Sequence, residues 1–291
     1  MGKVAAIQMT SGHVVEDNLA AAAALLREAK EMGADIACLP ENFSFIGLKD
    51  ADKLQIAEPD GSGPIQEFLS ATARQLKLWI LGGTTVIKGD SASRVANASL
   101  LIDDEGKRVA RYDKIHLFDV AIPGRDERYL ESTHVTPGRK VVVAETPVGR
   151  LGLSVCYDMR FPELYRELVS QGAEWLAMPA AFTVPTGRAH WETLLRARAI
   201  ENLCYVVAPA QSGTHTSGRE TYGDTLIVDY WGQVLSRLAK GAGVITAEIE
   251  LSKQAETRAR FPALDNRRLG ARTSAAISAD AVGAAAAPVT A

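Results

Sequence analysis

Two stretches of this chain repeat one another in outline, and that repetition limits the possible folds more than any other feature. Val14 to Met32 carries a helical period through Leu19, Ala23, Leu26 and Ala29, followed by Gly33-Ala34-Asp35 and the apolar run Ile36-Ala37-Cys38-Leu39-Pro40. Further on, Pro162 to Gln171 reads as a helix, followed by Gly172-Ala173-Glu174 and Trp175-Leu176-Ala177-Met178-Pro179. A helix stopped by glycine and continued as a short unbroken apolar run is the pattern of a strand buried on both faces. Two such units predict two similar α/β layers packed sheet to sheet with helices outside.

The remaining segments fit that plan. Lys3 to Met9, Leu78 to Val86, Asn97 to Ile102 and Arg108 to Tyr112 are strand-like, and Asp103-Asp104-Glu105-Gly106 joins the last two as a hairpin. Cys204 to Ala208, Leu226 to Val228, Gln233 to Leu238 and Gly243 to Ile249 are predicted strands, with a turn at Tyr230-Trp231-Gly232. Gly187 to Asn202 and Leu251 to Arg260 are predicted helices. At 291 residues with 47% hydrophobic side chains, one large domain over residues 1–270 is expected, since no linker interrupts it. Alanine fills 10 of the 21 positions from 271 to 291, and the absence of an apolar face predicts a disordered tail there.

Composition excludes several functions. The formal net charge of -3 comes without a long run of either sign, which argues against nucleic-acid binding. The longest apolar stretches fall far short of the ~20 residues that cross a bilayer, so a soluble chain is expected. Residues 1 to 9 carry no secretory pattern, and the cysteines Cys38, Cys156 and Cys204 are odd in number and widely spaced. A reducing, cytoplasmic setting without a disulfide framework or a metal site follows.

Three reactive residues stand just past apolar runs: Glu41 after Leu39-Pro40, Lys114 in Tyr112-Asp113-Lys114-Ile115-His116-Leu117, and Cys156 after Leu151-Gly152-Leu153-Ser154-Val155. Ligands collect at the carboxyl ends of strands in α/β folds. A thiol that attacks, a carboxylate that moves a proton and a cation that faces an oxyanion make a complete acyl-transfer set. Pro162 starts a helix close behind Cys156, a position expected to favour the thiolate. Cys38 and Cys204 lie inside apolar runs and read as core residues. His116 and His190 permit a Cys-His alternative, although His190 opens a helix in Gly187-Arg188-Ala189-His190-Trp191-Glu192.

These motifs, taken in order, resemble the nitrilase (carbon–nitrogen hydrolase) superfamily from about Lys3 to about Leu269. Leu39-Pro40-Glu41-Asn42-Phe43, the segment around Lys114, and Cys156-Tyr157-Asp158-Met159-Arg160-Phe161-Pro162-Glu163 match its Glu-Lys-Cys triad. The resemblance implies an α-β-β-α sandwich, a homodimer or higher homo-oligomer paired through helices, a Cys thioester intermediate and no metal or organic cofactor. It also implies a second glutamate, matched by Glu131 in Tyr129-Leu130-Glu131-Ser132, with Glu127 as the rival position. The oxyanion is expected to lie against Lys114 and the backbone N–H of Tyr157.

Within that superfamily, Ala181-Phe182-Thr183, Thr186-Gly187 and Ala189-His190-Trp191-Glu192 are similar to the branch containing deaminated glutathione amidase and omega-amidase. Cys204 to His215, followed closely by Tyr222-Gly223, favours the first. The implied reaction cleaves deaminated glutathione to 2-oxoglutarate and cysteinylglycine; 2-oxoglutaramate or N-carbamoyl amino acids are alternative substrates, and a silent interaction protein is the non-enzyme alternative. Phe182, Thr183, Thr186 and Arg188 are the expected substrate contacts, with Arg125 and Arg128 as further cations. Asp224 departs from the branch, where histidine is usual, and Tyr230 replaces the usual proline of Pro-Trp-Gly.

Overall fold

The computed structural model describes residues 2–124 and 127–269. The expected tail over 271–291 lies outside the described residues, as does Arg125. The first half of the chain builds β1 (Gly2–Gln8), α1 (Val15–Glu31), β2 (Ile36–Cys38), α2 (Pro64–Leu76), β3 (Trp79–Leu81), β4 (Thr85–Lys88), β5 (Val95–Ile102) and β6 (Arg108–Asp113). A small hairpin of β7 (Asp119–Ala121) and β8 (Arg128–Leu130) follows. The second half contains β9 (Val143–Ala144), β10 (Leu151–Leu153), α3 (Pro162–Ser170), β11 (Trp175–Ala177), α4 (Val184–Asn202) and β12 (Tyr205–Ala208). It continues through β13 (Ser212–Thr214), β14 (Glu220–Tyr222), β15 (Thr225–Val228), β16 (Val234–Leu238), β17 (Gly243–Ile249) and α5 (Leu251–Arg260).

The repeat extends further than its sequence signature. β1, β2 and β3 run parallel with α1 and α2 as crossovers, and β10, β11 and β12 run parallel with α3 and α4 in the same order. Each parallel set is extended by antiparallel strands, giving the orders β17-β1-β2-β3-β5-β4, with β6 also on β5, and β16-β15-β12-β11-β10-β9. β2 thus corresponds to β11 and β1 to β10. Glu41 and Cys156, which follow β2 and β10, come from different sheets and from strands that do not correspond.

The pleat decides which core each residue joins. Val4 and Ala6 of β1 and Ile36 and Cys38 of β2 point between the sheets, packing with Leu151, Leu153 and Val207. Their neighbours Ala5, Ile7 and Ala37 point the other way, against Ala22, Leu26 and Ala29 of α1 and Leu69 of α2. The buried stripe of α1 is Asn18, Ala22, Leu26 and Ala29, one position from Leu19 and Ala23, which lie at its margin. Helices therefore cover both outer faces, and the fold is the α-β-β-α sandwich.

Three local differences from the sequence pattern have visible causes. The run Leu78 to Val86 splits into β3 and β4, because Gly82-Gly83 turns the chain with Gly83 at φ +44°. α4 starts at Val184 rather than Gly187, with Pro185 in its first turn, where a missing N–H costs nothing. Behind Cys156 the chain first makes a five-residue 3-10 turn, Cys156–Arg160, before α3 begins at Pro162. The first amides of α3 therefore do not cap the thiol.

Candidate active site

Glu41, Lys114, Cys156 and Glu131 meet on the floor of one cavity of about 550 Å³. Glu41, Lys114 and Cys156 are buried. The Lys114 Nζ donates to Glu41 Oε1 at 2.9 Å and to Glu131 Oε2 at 2.8 Å. The second oxygen of Glu41 accepts the Ala181 N–H at 3.0 Å. The same Glu131 oxygen also accepts the Phe118 N–H at 2.8 Å, which fixes the carboxylate against the ammonium. Glu127, the rival position, also lines the cavity, but it lies against the Tyr129 hydroxyl at 3.3 Å rather than on Lys114.

Local backbone geometry aims these groups. Lys114 continues β6, its N–H bonded to the Asn97 carbonyl of β5, so strand pairing points the side chain into the site. Gly138 packs on the Asp113 carbonyl so closely that any side chain there would overlap it. Gly83 sits in the same way on the Pro40 carbonyl just ahead of Glu41. Both strand ends then bend through left-handed residues: Asn42 has φ +56° and Cys156 itself has φ +50°. Such a conformation costs a non-glycine residue on the order of 1–3 kcal/mol, and its surroundings must hold it.

Those surroundings are explicit around Cys156. Asp158 is fully buried and accepts four hydrogen bonds, from the Tyr112 hydroxyl at 2.7 Å, Val155 N–H at 2.8 Å, His116 N–H at 3.0 Å and His116 Nδ1 at 2.7 Å. Arg198 reaches from α4 to the Met159 carbonyl at 2.9 Å. The Ser154 hydroxyl donates to the Ala177 carbonyl and accepts from Tyr165. His116 thus serves the turn rather than the thiol: it is stacked on Phe161 at 3.7 Å and bonded to Asp158. His190 is exposed and lies beside Arg160.

The electrostatics reverse one expectation. Burial, and then the Glu41 carboxylate, push the Cys156 thiol well above its usual range, and the nearby Lys114 ammonium and Ala181 N–H only partly offset them. Burial and Glu41 thus favour a resting thiol over the thiolate expected from a helix N-terminus, and α3 begins too far along to cap the sulfur. Burial opposes the Lys114 charge, yet Glu131 and Glu41 together hold the ammonium well above the ordinary lysine range. Burial likewise opposes the Glu131 charge, and Lys114 overcomes it, keeping that carboxyl below its ordinary range. The site can therefore offer a protonated sulfur next to a carboxylate, and a fixed cation on which negative charge can collect.

Of the expected substrate contacts, Phe182, Thr183 and Thr186 line the cavity, with the Thr183 and Thr186 hydroxyls 2.8 Å apart. Arg188 does not. One residue along α4, Gly187 faces inward against the Tyr222 ring, so Arg188 turns outward and is exposed. Arg128 is also exposed and outside the lining. Asp224 is no cavity anion: it is buried in a two-pronged ion pair with Arg237 at 2.6 and 2.9 Å.

Two cavity residues escaped sequence reasoning. Asn97 bridges both carboxylates through Nδ2, at 3.4 Å to Glu41 and 3.3 Å to Glu131, and Arg219 stands at the wall. Asn97 sits inside an apolar strand, and that buried polar break was its available signal; Arg219 lies in a polar turn and gave none. Among the described residues, no cluster of three or more His, Cys, Asp or Glu side chains is arranged to hold a metal ion, and no helix is long and apolar enough to cross a membrane.

Residues 3–259 match the carbon-nitrogen hydrolase family. The chain is 41% identical to deaminated glutathione amidase of Yersinia enterocolitica over 266 residues, covering 91% of this chain and 92% of that protein. It is 42% identical to the human protein of the same name over 269 residues, covering 91% and 82%. Among solved structures, the NitFhit protein of Caenorhabditis elegans superposes with a TM-score of 0.86 at 41% identity, over 92% of this chain and 65% of that longer one. Nit3 of Saccharomyces cerevisiae, a member of branch 10 of the nitrilase superfamily, gives 0.80 at 28% identity, over 89% and 94%.

Proposed function

Because this chain belongs to the carbon–nitrogen hydrolase family and is a hydrolase of C–N bonds, we propose that it cleaves a small carboxylate-bearing amide, deaminated glutathione, to 2-oxoglutarate and cysteinylglycine. The reading is carried by the convergence of Glu41, Lys114 and Cys156 on the floor of one cavity, and its substrate by the likeness to deaminated glutathione amidases over most of the chain. A cavity of about 550 Å³ suits a ligand of this size.

The chemistry follows from the contacts. As the Cys156 sulfur attacks the amide carbonyl carbon, its proton passes to Glu41, the base that raises the thiol in the resting site. The carbonyl oxygen takes up the negative charge and is stabilised by the Lys114 ammonium and the Tyr157 N–H, which follows the nucleophile in the 3-10 turn. Collapse breaks the C–N bond, and the leaving amine takes the proton from Glu41. A thioester remains. Glu41 then removes a proton from water as its oxygen attacks the thioester; the C–S bond breaks, the sulfur recovers the proton, and the acid leaves. Glu131 holds Lys114 in place throughout, through the 2.8 Å contact. The cycle uses protein groups and water.

The test is a panel of deaminated glutathione, 2-oxoglutaramate, N-carbamoyl amino acids and simple nitriles, scored by kcat/KM on wild type and Cys156→Ala. Deaminated glutathione should lead by at least tenfold, and the variant should fold normally and lose turnover. A variant that keeps more than a few per cent of activity refutes the nucleophile; a faster carbamoyl substrate refutes the amide assignment.

We further infer that residues 1–270 act as one domain, in a reducing cytoplasm, and that copies pair. Three free buried cysteines support the compartment. Trp231 and Phe261, both more than half exposed, pack edge to face at 5.6 Å beside the exposed Ile200 of α4, and this apolar patch supports pairing through the helices.

A further inference from the structure

The cavity wall carries a cation that the reaction described above does not use. Arg219 follows Gly218 in the turn between β13 and β14 and lines the cavity. Its turn is held firmly: the buried His215 bonds the Ser11 carbonyl through Nδ1 at 2.8 Å and the Thr221 hydroxyl through Nε2 at 2.8 Å, and its N–H and carbonyl close the turn on Arg219 and Gly218. The guanidinium lies 5.3 Å from the centre of the Tyr129 ring, and Nη2 donates to the Ala181 carbonyl at 3.2 Å.

Its Nε is buried without an acceptor, and among the described residues no carboxylate reaches Arg219 within ion-pair distance. Buried Arg198 and half-buried Arg111 pair with carboxylates, Glu201 and Asp60 with Asp113, and half-buried Arg94 and Arg258 spend their donors on backbone carbonyls, whereas Arg219 keeps a buried Nε with no acceptor among the described residues. A buried guanidinium N–H left without an acceptor is costly unless an acceptor arrives. The cavity is where one can arrive. Of the other charged side chains that line the cavity, Lys49, Asp50 and Glu220 are exposed, and half-buried Lys53 acts on the Glu131 carboxylate.

The position relative to the chemistry is set by a single residue. Ala181 gives its N–H to Glu41 and its carbonyl to Arg219, so the base and the unpaired cation flank the same residue. An anion held by Arg219 therefore belongs to the molecule being cleaved, a short distance from its scissile amide.

We propose that Arg219 is the residue that selects an anionic substrate, binding a carboxylate of the amide while Nη2 stays on the Ala181 carbonyl. The assignment rests on the amidase reading above and names the group that gives it its substrate class. Arginine suits the task because its planar fork offers two parallel donors to a carboxylate.

Deaminated glutathione and its dimethyl ester, with cleavage read as released amine, separate the two claims. The wild type should prefer the anionic form by tenfold or more; preference for the ester overturns the carboxylate-bearing substrate and this inference with it. In Arg219→Met, which keeps a stem against Tyr129, KM for the anionic substrate should rise ten- to a hundredfold, kcat/KM for the ester should change less than threefold, and the melting temperature should hold. Arg219→Lys should fall between, and it provides the reading if the methionine variant does not fold. If the wild type prefers the anion and both variants keep that preference, or if a variant loses both substrates equally, Arg219 only positions Ala181 and the inference is overturned.

Discussion

A thiol that burial keeps protonated depends on its neighbours for reactivity, and at Cys156 that neighbour is Glu41. The consequence is measurable without substrate. A cysteine at its ordinary value would show half its thiolate near pH 9, whereas here burial and Glu41 raise the value, so the protonated form persists as pH climbs through 9. The ultraviolet thiolate absorbance that distinguishes wild type from Cys156→Ala should stay flat from neutrality to pH 9 and rise only beyond it; a midpoint below 9 would contradict the electrostatics. The same balance explains why Cys204, with Arg258 against it and only a minor push from Glu174, is still raised to about 12: burial dominates in both. Glu41, Lys114 and Cys156 were legible because each stands just past an apolar run, and Glu131 only through the family resemblance. Sequence reading gave the wrong sign for the thiol, since the sign is set by burial and the Glu41 carboxylate, which tertiary packing brings together from distant parts of the chain.

At the scale of elements, the site depends on how closely turns approach strand ends. Gly83 at φ +44° rests on the Pro40 carbonyl, so Gly83→Ala meets both a strained backbone and a collision with the residue preceding Glu41. The variant should lose about 2–3 kcal/mol in urea unfolding and most of its kcat. Gly61→Ala is the control, because Gly61 at φ +88° has nothing near its α-hydrogen; it should lose about 1 kcal/mol and keep full activity. Equal kcat losses in the two would remove Gly83 from the account of Glu41. Strand and helix positions were largely legible, from β1 through α5, because two-residue and 3.6-residue periods are local. α2, β9, the hairpin of β7 and β8 and the hairpin of β13 and β14 were not. The two hairpins are short and partly exposed, and their polar residues look like loop until the cavity behind them is known. Arg219 was hidden for that reason.

For the whole molecule, the exposed pair Trp231 and Phe261 marks where two copies are proposed to meet. An aromatic anchor at the centre of such an interface is typically worth about 2 kcal/mol or more. Trp231→Asp should therefore weaken dimerisation at least thirtyfold by sedimentation velocity while leaving the monomer folded; an unchanged dimer would move the interface elsewhere. The pairing of β1 with β17 acts on a different timescale. Gly2 to Gln8 meets Ile249 back to Gly243 in unbroken antiparallel register, so the first strand made is matched by the last one. During synthesis this edge of β1 stays open until β17 has emerged, a state in which an apolar strand invites wrong partners. Completion of the first sheet thus waits for β17, and cells short of chaperone capacity should lose yield of this protein at birth rather than by later unfolding.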